Sequence, residues 1–356
     1  MFFFIGLPVQ IIVYILYPFV SLYFTFFIKK KTWEHIGAKP FRILESKGIE
    51  LEDLLKVRPT IRDMAFLDND DTHAAITHSS LWGMEKYQDL AGFGLESLVR
   101  DNGAIKRRYP IDQEYLPASG DCLASFNYAM VMSNYLIPSL AEKVADHYTK
   151  NCFGMEHYNG KVSARSSNSG VNLVFDGYKG LNFPAFGPQY YTTAATLAMG
   201  ARLSTTKLKR AMYSVAYYAH FVLMGGWLWW KDPILHSKTD LLYYTHHVTA
   251  MNLAVLVKLG YQKSLHQYAF RRISKDLSPH GNCNPFLYAL GFDIGALNSQ
   301  EDYQLAKHTL LNISNPTPFM WQREPLTNEQ YTNPPPEATQ DPVQLAFVAE
   351  LLLRNK

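Results

Sequence analysis

The 356-residue chain has only three cysteines, Cys122, Cys152 and Cys283, with no CxxC pair and no short Cys/His spacing. That count excludes a disulfide framework and a cysteine-built structural zinc site. No surplus of either charge exists: 34 Lys and Arg stand against 31 Asp and Glu, a formal +3. A nucleic-acid surface leaves a basic footprint that this balance lacks, so no nucleic-acid partner is expected. GxGxxG and GxxxxGK[ST] are both missing, as is any run of alternating strands with glycine-rich turns. A nucleotide-binding α/β fold therefore has no support. Long uncharged stretches are missing with one exception, and a mean hydropathy of −0.14 excludes a polytopic membrane protein.

Apolar material is nevertheless ample. Residues of the AVILMFWYC set make up 47% of the chain, which excludes a disordered or collagen-like polymer. Tyrosine (23) and phenylalanine (21) are abundant enough to fill a large core or to line a cavity with rings.

The exceptional stretch is Met1 to Ile28, which carries no charged side chain and is followed at once by Lys29, Lys30 and Lys31. About 20 apolar residues span a bilayer as a helix. The stretch lacks the basic start and small-residue cleavage site of a secretory signal, so it reads as an uncleaved single-pass anchor and the membrane as a partner. Pro8 and Pro18 leave room for a kinked or interfacial form. The lysine triplet on its C-terminal side favours the cytoplasmic side for the large domain.

Residues 29–59 read as a polar linker, and residues 60–332 as one helical body. Apolar residues recur there at three- and four-residue steps. The predicted helices are Thr72–Val99, Asp121–Cys152, Tyr190–Leu203, Thr206–Leu223, Thr239–Leu259, Leu265–Leu277 and Glu301–Leu311. In the segment from Thr239, the residues Leu241, Tyr244, Val248, Met251, Val255 and Leu259 form one stripe. Helix pairs separated by ring- and glycine-rich loops suggest an all-α fold, an (α/α) toroid of five to six helix pairs. Residues 333–356 form a proline-rich connector and a last helix, Pro342–Arg354, expected to pack back on the body.

The sharpest local signal is Asp68-Asn-Asp70-Asp71-Thr72, three carboxylates within four residues before a helical pattern. Like charges this close raise at least one pKa unless a cation or hydrogen-bond donors intervene, and a carboxyl held protonated is what a general acid needs. The same residues also suit a helix N-terminus, where carboxylates complement the free N–H groups and the macrodipole. A divalent cation bound by Asp68, Asp70 and Asp71 is a third reading; otherwise no cofactor or metal is expected.

A second constellation is Gly103-Ala-Ile-Lys-Arg107-Arg108-Tyr-Pro110-Ile-Asp112, followed by Ser119-Gly-Asp121. Further on come Asp176 and Tyr178 (in NLVFDGY), Trp229 (in WLWW), Tyr244 and His247 (in YYTHH), Asn284-Pro-Phe and Trp321-Gln-Arg. Each has a plain reading as well: Asp121 as a cap, the arginines as a solvated turn, the tryptophans as core or interface rings, and one of His246 and His247 as packed core.

Two families are similar in parts. The pattern Asp68-x-Asp70-Asp71-Thr72 resembles the DxDDT signature of class II terpene cyclases, and that resemblance implies Asp70 as the acid, tuned by Asp68 and Asp71, on an isoprenoid substrate. The same letters fit the DxDxT of haloacid-dehalogenase phosphatases, which need a preceding strand and a Rossmann-like body that the pattern does not offer. Taken in order, the loops over residues 60–330 resemble those of six-hairpin glycosidase-like toroids. This second resemblance implies a cleft lined by Arg107, Arg108, Asp112, Asp176, Tyr178, Trp229, Tyr244, His247, Asn284 and Trp321. Glycoside hydrolysis needs two carboxyls flanking the bond, and Asp70 and Asp121 are the expected pair. The expectation is thus a membrane-anchored enzyme of a glycan or glycolipid. An isoprenoid-directed lyase or isomerase, or a non-catalytic tethered scaffold, is the alternative. Oligomeric state is left open.

Overall fold

The structure, a computed structural model, describes residues 50–56, 83–84, 95–96, 98–105, 120–134, 136–151, 156–158, 161–163, 174–176, 180–182, 188–223, 243–277, 285–314 and 342–356. At several element ends it describes the backbone alone. The protein is all-α in character. Among the described residues the helices are α1 (Leu51–Leu54), α2 (Gly120–Met132), α3 (Pro138–Asn151), α4 (Pro188–Leu203), α5 (Lys207–Leu223), α6 (Tyr243–Lys258), α7 (Lys263–Leu277), α8 (Pro285–Asp293), α9 (Gln300–Ser314) and α10 (Pro342–Arg354). Between α3 and α4 lie two short antiparallel hairpins, β1 (Glu156–Tyr158) with β2 (Lys161–Ser163) and β3 (Val174–Asp176) with β4 (Gly180–Asn182). Glu156 stands opposite Ser163 in the first, and Val174 opposite Asn182 in the second.

From α2 onward the helices alternate between two kinds. The even-numbered helices are apolar nearly all round. Every residue of α4 from Tyr190 to Ala201 is buried, as is every residue of α6 from Thr249 to Val257 and of α8 from Pro285 to Phe292. The odd-numbered helices α3, α5 and α7 are buried on one side only; α3 and α7 turn polar faces to water, whereas the outward face of α5 is largely apolar. A helix hydrophobic on all sides is stable only when neighbours surround it, and α4 packs against α2, α3, α5 and α6. Small residues make that possible: Ala194, Ala195, Ala198 and Ala201 are all buried on α4 and let its neighbours approach closely. The α6 helix packs on α2, α4, α7 and α8, which is why its burial exceeds the single predicted stripe.

The connections are as asymmetric as the helices. Passages from a buried helix to the amphipathic one that follows are short: 133–137, 204–206, 259–262 and 294–299. Two of these close on glycines with positive φ, Gly260 (+81°) and Gly295 (+67°), in which the next N–H reaches back to the last turn. Tyr261 N donates to Leu256 O at 2.9 Å, and Ala296 N to Gly291 O at 2.8 Å. A side chain with a Cβ resists that left-handed turn, so glycine is the residue that ends these helices tightly. The stretches of sequence from an amphipathic helix to the next buried one are longer: 152–187, 224–242, 278–284 and 315–341.

Three expectations change. The helix predicted over Asp121–Cys152 is two helices, broken at Ser133–Asn134, where Asn134 has φ of 57°, and restarted by Pro138. Proline lacks the N–H that a continuing helix needs but suits a first helical position. The Asn284-Pro-Phe segment, read as a loop, delivers Pro285 and Phe286 as the first residues of the buried helix α8. Residues 51–54, read as linker, form α1. It packs on α9 and α10, with Leu51 buried and Lys307 on α9 paired to Glu50 at 3.2 Å. The N-terminal stretch Met1 to Ile28 lies outside the described residues. Among those described, no helix is long and apolar enough to cross a membrane.

Candidate functional site

The segment leading toward Arg107 and Arg108 is held on α3. Arg100 N donates to Ala104 O at 2.8 Å, and Gly103 N to Arg100 O at 2.9 Å, which folds residues 100–104 into a tight turn. Ile105 N donates to the Tyr148 hydroxyl at 3.2 Å, and His147 Nδ1 donates to Asn102 O at 3.0 Å. A carbonyl only accepts, so this places the His147 proton on Nδ1. Gly103 has φ of +91°, and a Cβ there would stand 2.4 Å from the Lys143 carbonyl oxygen. Gly103→Ala therefore meets both a backbone clash and a disfavoured conformation. We expect a loss of about 2–3 kcal/mol in chemical denaturation. A variant as stable as the wild type would show that this turn is not held against α3.

The buried helices α2, α4 and α6 are tied by a seam of amides and hydroxyls. Asn127 Nδ2 on α2 donates to Thr196 Oγ1 on α4 at 2.9 Å, and that hydroxyl donates to Thr192 O at 2.9 Å. Asn252 Nδ2 on α6 donates to Thr192 Oγ1 at 2.8 Å. All four residues are at most 2% exposed, so each missed bond would carry the full desolvation penalty. The hydroxyls of Thr193 and Thr249, beside the seam, are buried with no hydrogen-bond partner among the described residues. Sequence reasoning overlooked this seam. Its signal was present, as Thr192 and Thr196 four apart, and Thr249 and Asn252 three apart, on otherwise apolar helices.

Around the start of α4, two tyrosines meet two histidines, His220 half-buried and His266 buried. Tyr190 stacks on His220 of α5 with centroids 4.7 Å apart, and Tyr191 meets His266 of α7 edge-on at 6.3 Å. Burial pushes both imidazoles down to about 4, against a partial upward pull from their carbonyl hydrogen bonds. They are neutral at pH 7 and structural in setting. On the outer side of α4, Lys209 of α5 pairs with Glu142 and Asp146 of α3 at 2.5 and 2.8 Å, and Tyr213 donates to Asp146. The Lys209 and Thr205 hydrogen bonds hold the Glu142 carboxyl down at about 2.

The residues singled out from the sequence are distributed as follows. Asp121 is the second residue of α2, Asp176 the last of β3, and Tyr244 and His247 the second and fifth of α6, each described by its backbone. Asp68, Asp70, Asp71, Arg107, Arg108, Asp112, Tyr178, Trp229, Asn284 and Trp321 lie outside the described residues. So does the candidate cation site at the three aspartates. Among the described residues, no group of three His, Cys, Asp or Glu side chains is arranged to hold a metal ion.

Their places along the chain follow a rule. From Arg107 onward, every one lies either in the passage that precedes a buried helix or in that helix's first two turns. Asp176 and Tyr178 precede α4, Trp229 precedes α6, Asn284 precedes α8 and Trp321 precedes α10. Comparison with protein-family profiles, with curated proteins and with solved structures found no match.

Proposed function

We propose that the protein is a membrane-anchored (α/α) toroid enzyme that acts on a glycan or glycolipid, with Asp70 and Asp121 as its acid and base. The alternation of buried and amphipathic helices, joined by short turns in one sense and long passages in the other, is what such a toroid requires. Short turns make each buried helix antiparallel to the helix after it. Along the chain, the candidate residues from Arg107 onward stand before a buried helix or in its first two turns, and this order in the sequence is the observation that carries the reading. The seam gives a common level: Asp121 stands about 9 Å along α2 from Asn127, and His247 about 7.5 Å along α6 from Asn252, at 1.5 Å per residue. Both distances lead toward the helix starts.

The chemistry follows from the residue types. Carboxyls provide the acid and base of glycoside cleavage. Arginine, asparagine and histidine hydrogen-bond hydroxyls, and aromatic faces stack on sugar rings. A seam of amides and hydroxyls beneath the helix starts suits a hydroxyl-rich substrate better than a hydrocarbon, which ranks the isoprenoid alternative second.

The test uses the full chain in detergent or vesicles, assayed for glycan and glycolipid turnover. Asp70→Asn and Asp121→Asn should each lower turnover by about 10²–10⁴-fold, the usual contribution of a general acid or base, with helical circular dichroism unchanged. Undiminished turnover in a folded Asp70→Asn variant would remove the proposed acid. Turnover of isoprenoid substrates alone would move the reading to the lyase or isomerase class.

A further inference from the structure

One helix is apolar on two opposite sides. On α5, Tyr213 and Tyr217 face the protein and are buried, but Leu208, Met212, Val215, Tyr218 and Val222 are exposed by 72, 61, 70, 52 and 62%. At 100° per residue these five fall within about 120° of arc, opposite the side that packs on α4. Among the described residues only one other large hydrophobic side chain, Tyr268, is exposed to a comparable class, at 39%. A stripe of this size on a single helix marks a surface that meets something.

Charge indicates what it meets. From Gly177 to Trp230 and Lys231 the chain contains no Asp or Glu, while it contains Lys179, Arg202, Lys207, Lys209, Arg210 and Lys231. Lys209 is taken up by Glu142 and Asp146. Arg202, Lys207 and Arg210 are exposed around the start of α5. Just beyond its end come Trp227, Trp230 and Lys231, residue types that favour the bilayer interface. A second copy meeting this face about a twofold axis would set the basic residues against their own counterparts, with no acidic residue of the stretch to offset them. Residues Met1–Ile28 carry no acidic side chain either, and Lys29 to Lys31 follow them. A lipid surface with anionic headgroups satisfies both halves of the pattern.

We propose that α5 is a membrane-surface contact, lying along the bilayer with its exposed stripe in the headgroup–acyl boundary and Arg202 and Lys207 against anionic headgroups. The arrangement is that of an interfacial amphipathic helix, in which apolar area and basic residues add. It is independent of the reaction proposed above and of the anchor, since α5 is a different part of the chain. Its consequence is a fixed orientation: the domain rests on the membrane through α5 instead of swinging freely from its N-terminal stretch.

The experiment is photocross-linking in the full chain. Val215→p-benzoylphenylalanine, with Glu301→p-benzoylphenylalanine on the exposed start of α9 as control, is reconstituted in vesicles of phosphatidylcholine with or without phosphatidylserine. Products are identified by mass spectrometry. Position 215 should form lipid adducts about fivefold or more above position 301, and the yield should fall several-fold without phosphatidylserine or at high salt, as for an electrostatically assisted interfacial helix. Adducts from position 215 to a second copy of the chain, or to residues 1–28, would overturn the proposal. So would lipid adducts no more frequent than at position 301. Both sites are exposed, and unchanged circular dichroism confirms that each variant folds.

Discussion

Lowering the pH from 6.5 to 4 should remove on the order of 6 kcal/mol of stability through two histidines alone. His266 is buried and His220 half-buried, and each donates one ring N–H to a backbone carbonyl: His220 Nε2 to Tyr190 O at 3.1 Å, His266 Nδ1 to Tyr261 O at 2.7 Å. Burial holds both near 4, below the ordinary 6.5. Between those values the unfolded chain takes up protons that the folded protein refuses. Stability therefore falls as pH falls through this window, by about 1.4 kcal/mol per unit for each histidine. Below 4 the folded imidazoles also protonate, and this contribution levels off.

A total stability of about 5–15 kcal/mol is usual for a domain, so the loss is large enough to bring acid unfolding within reach of pH 4–5. The Glu142 carboxyl, held at about 2, acts in a lower window. Its contribution is present above its ordinary 4.5 and is lost as pH falls from there toward 2. The two effects separate on the pH axis. Denaturation by urea at a series of pH values should give a slope of about 2.7 kcal/mol per unit from the pair. His220→Gln should roughly halve it. A variant with the wild-type slope would show that His220 is not the proton acceptor withheld by folding.

Phe347→Ala should cost about 3–5 kcal/mol, the range for emptying a buried aromatic site. Phe347 sits on α10 with no exposure. Its ring meets Tyr128 of α2 edge-on at 6.2 Å and Phe286 of α8 at 6.4 Å, while Tyr128 meets Phe286 at 6.2 Å. Three buried helices from distant parts of the chain are joined at this triangle. Removing one ring leaves a cavity beside the Tyr128 ring, whose hydroxyl is buried without a hydrogen-bond partner among the described residues. Such a site cannot collapse easily, because Tyr128 and Phe286 are held by their own helices. The check is a shift of the urea midpoint with an unchanged denaturant slope. A loss under 1 kcal/mol would mean that α10 packs loosely and is not part of the common core.

Helices with a strong apolar period were readable from residues alone. The last helix was predicted at Pro342–Arg354 and lies there, and Tyr190–Leu203 and Thr206–Leu223 differ from α4 and α5 by one or two residues. Local physics is enough for these: spacing of apolar side chains, proline at a first position, and a lysine- or arginine-bearing last turn. α8 was missed because PFLYALGFD is apolar on every side and offers no period to detect. The break after Met132 was missed because Ser133 and Asn134 are tolerated inside a helix, and only Pro138 hinted at the restart.

The candidate residues were legible as types and as positions in the chain. Their gathering before buried helices was not, because it depends on which helices are central. Centrality is a property of packing. A helix rich in alanine can be a surface element or the hub between four neighbours, and α4 is the hub. The same holds for polar groups. Nothing local distinguishes Thr192 and Asn252, which bond each other in the interior across sixty positions of chain, from threonines and asparagines in water.

Amino-acid order thus settled where most of the described helices begin and end, and that a long uncharged stretch precedes the helical body. Three-dimensional packing settled which helices are enclosed, that Asn127, Thr192, Thr196 and Asn252 meet, and that the outer stripe of α5 is left bare. The reason is one of range. Helix formation is governed by neighbours three and four positions away, whereas burial is set by side chains that approach from anywhere along the chain.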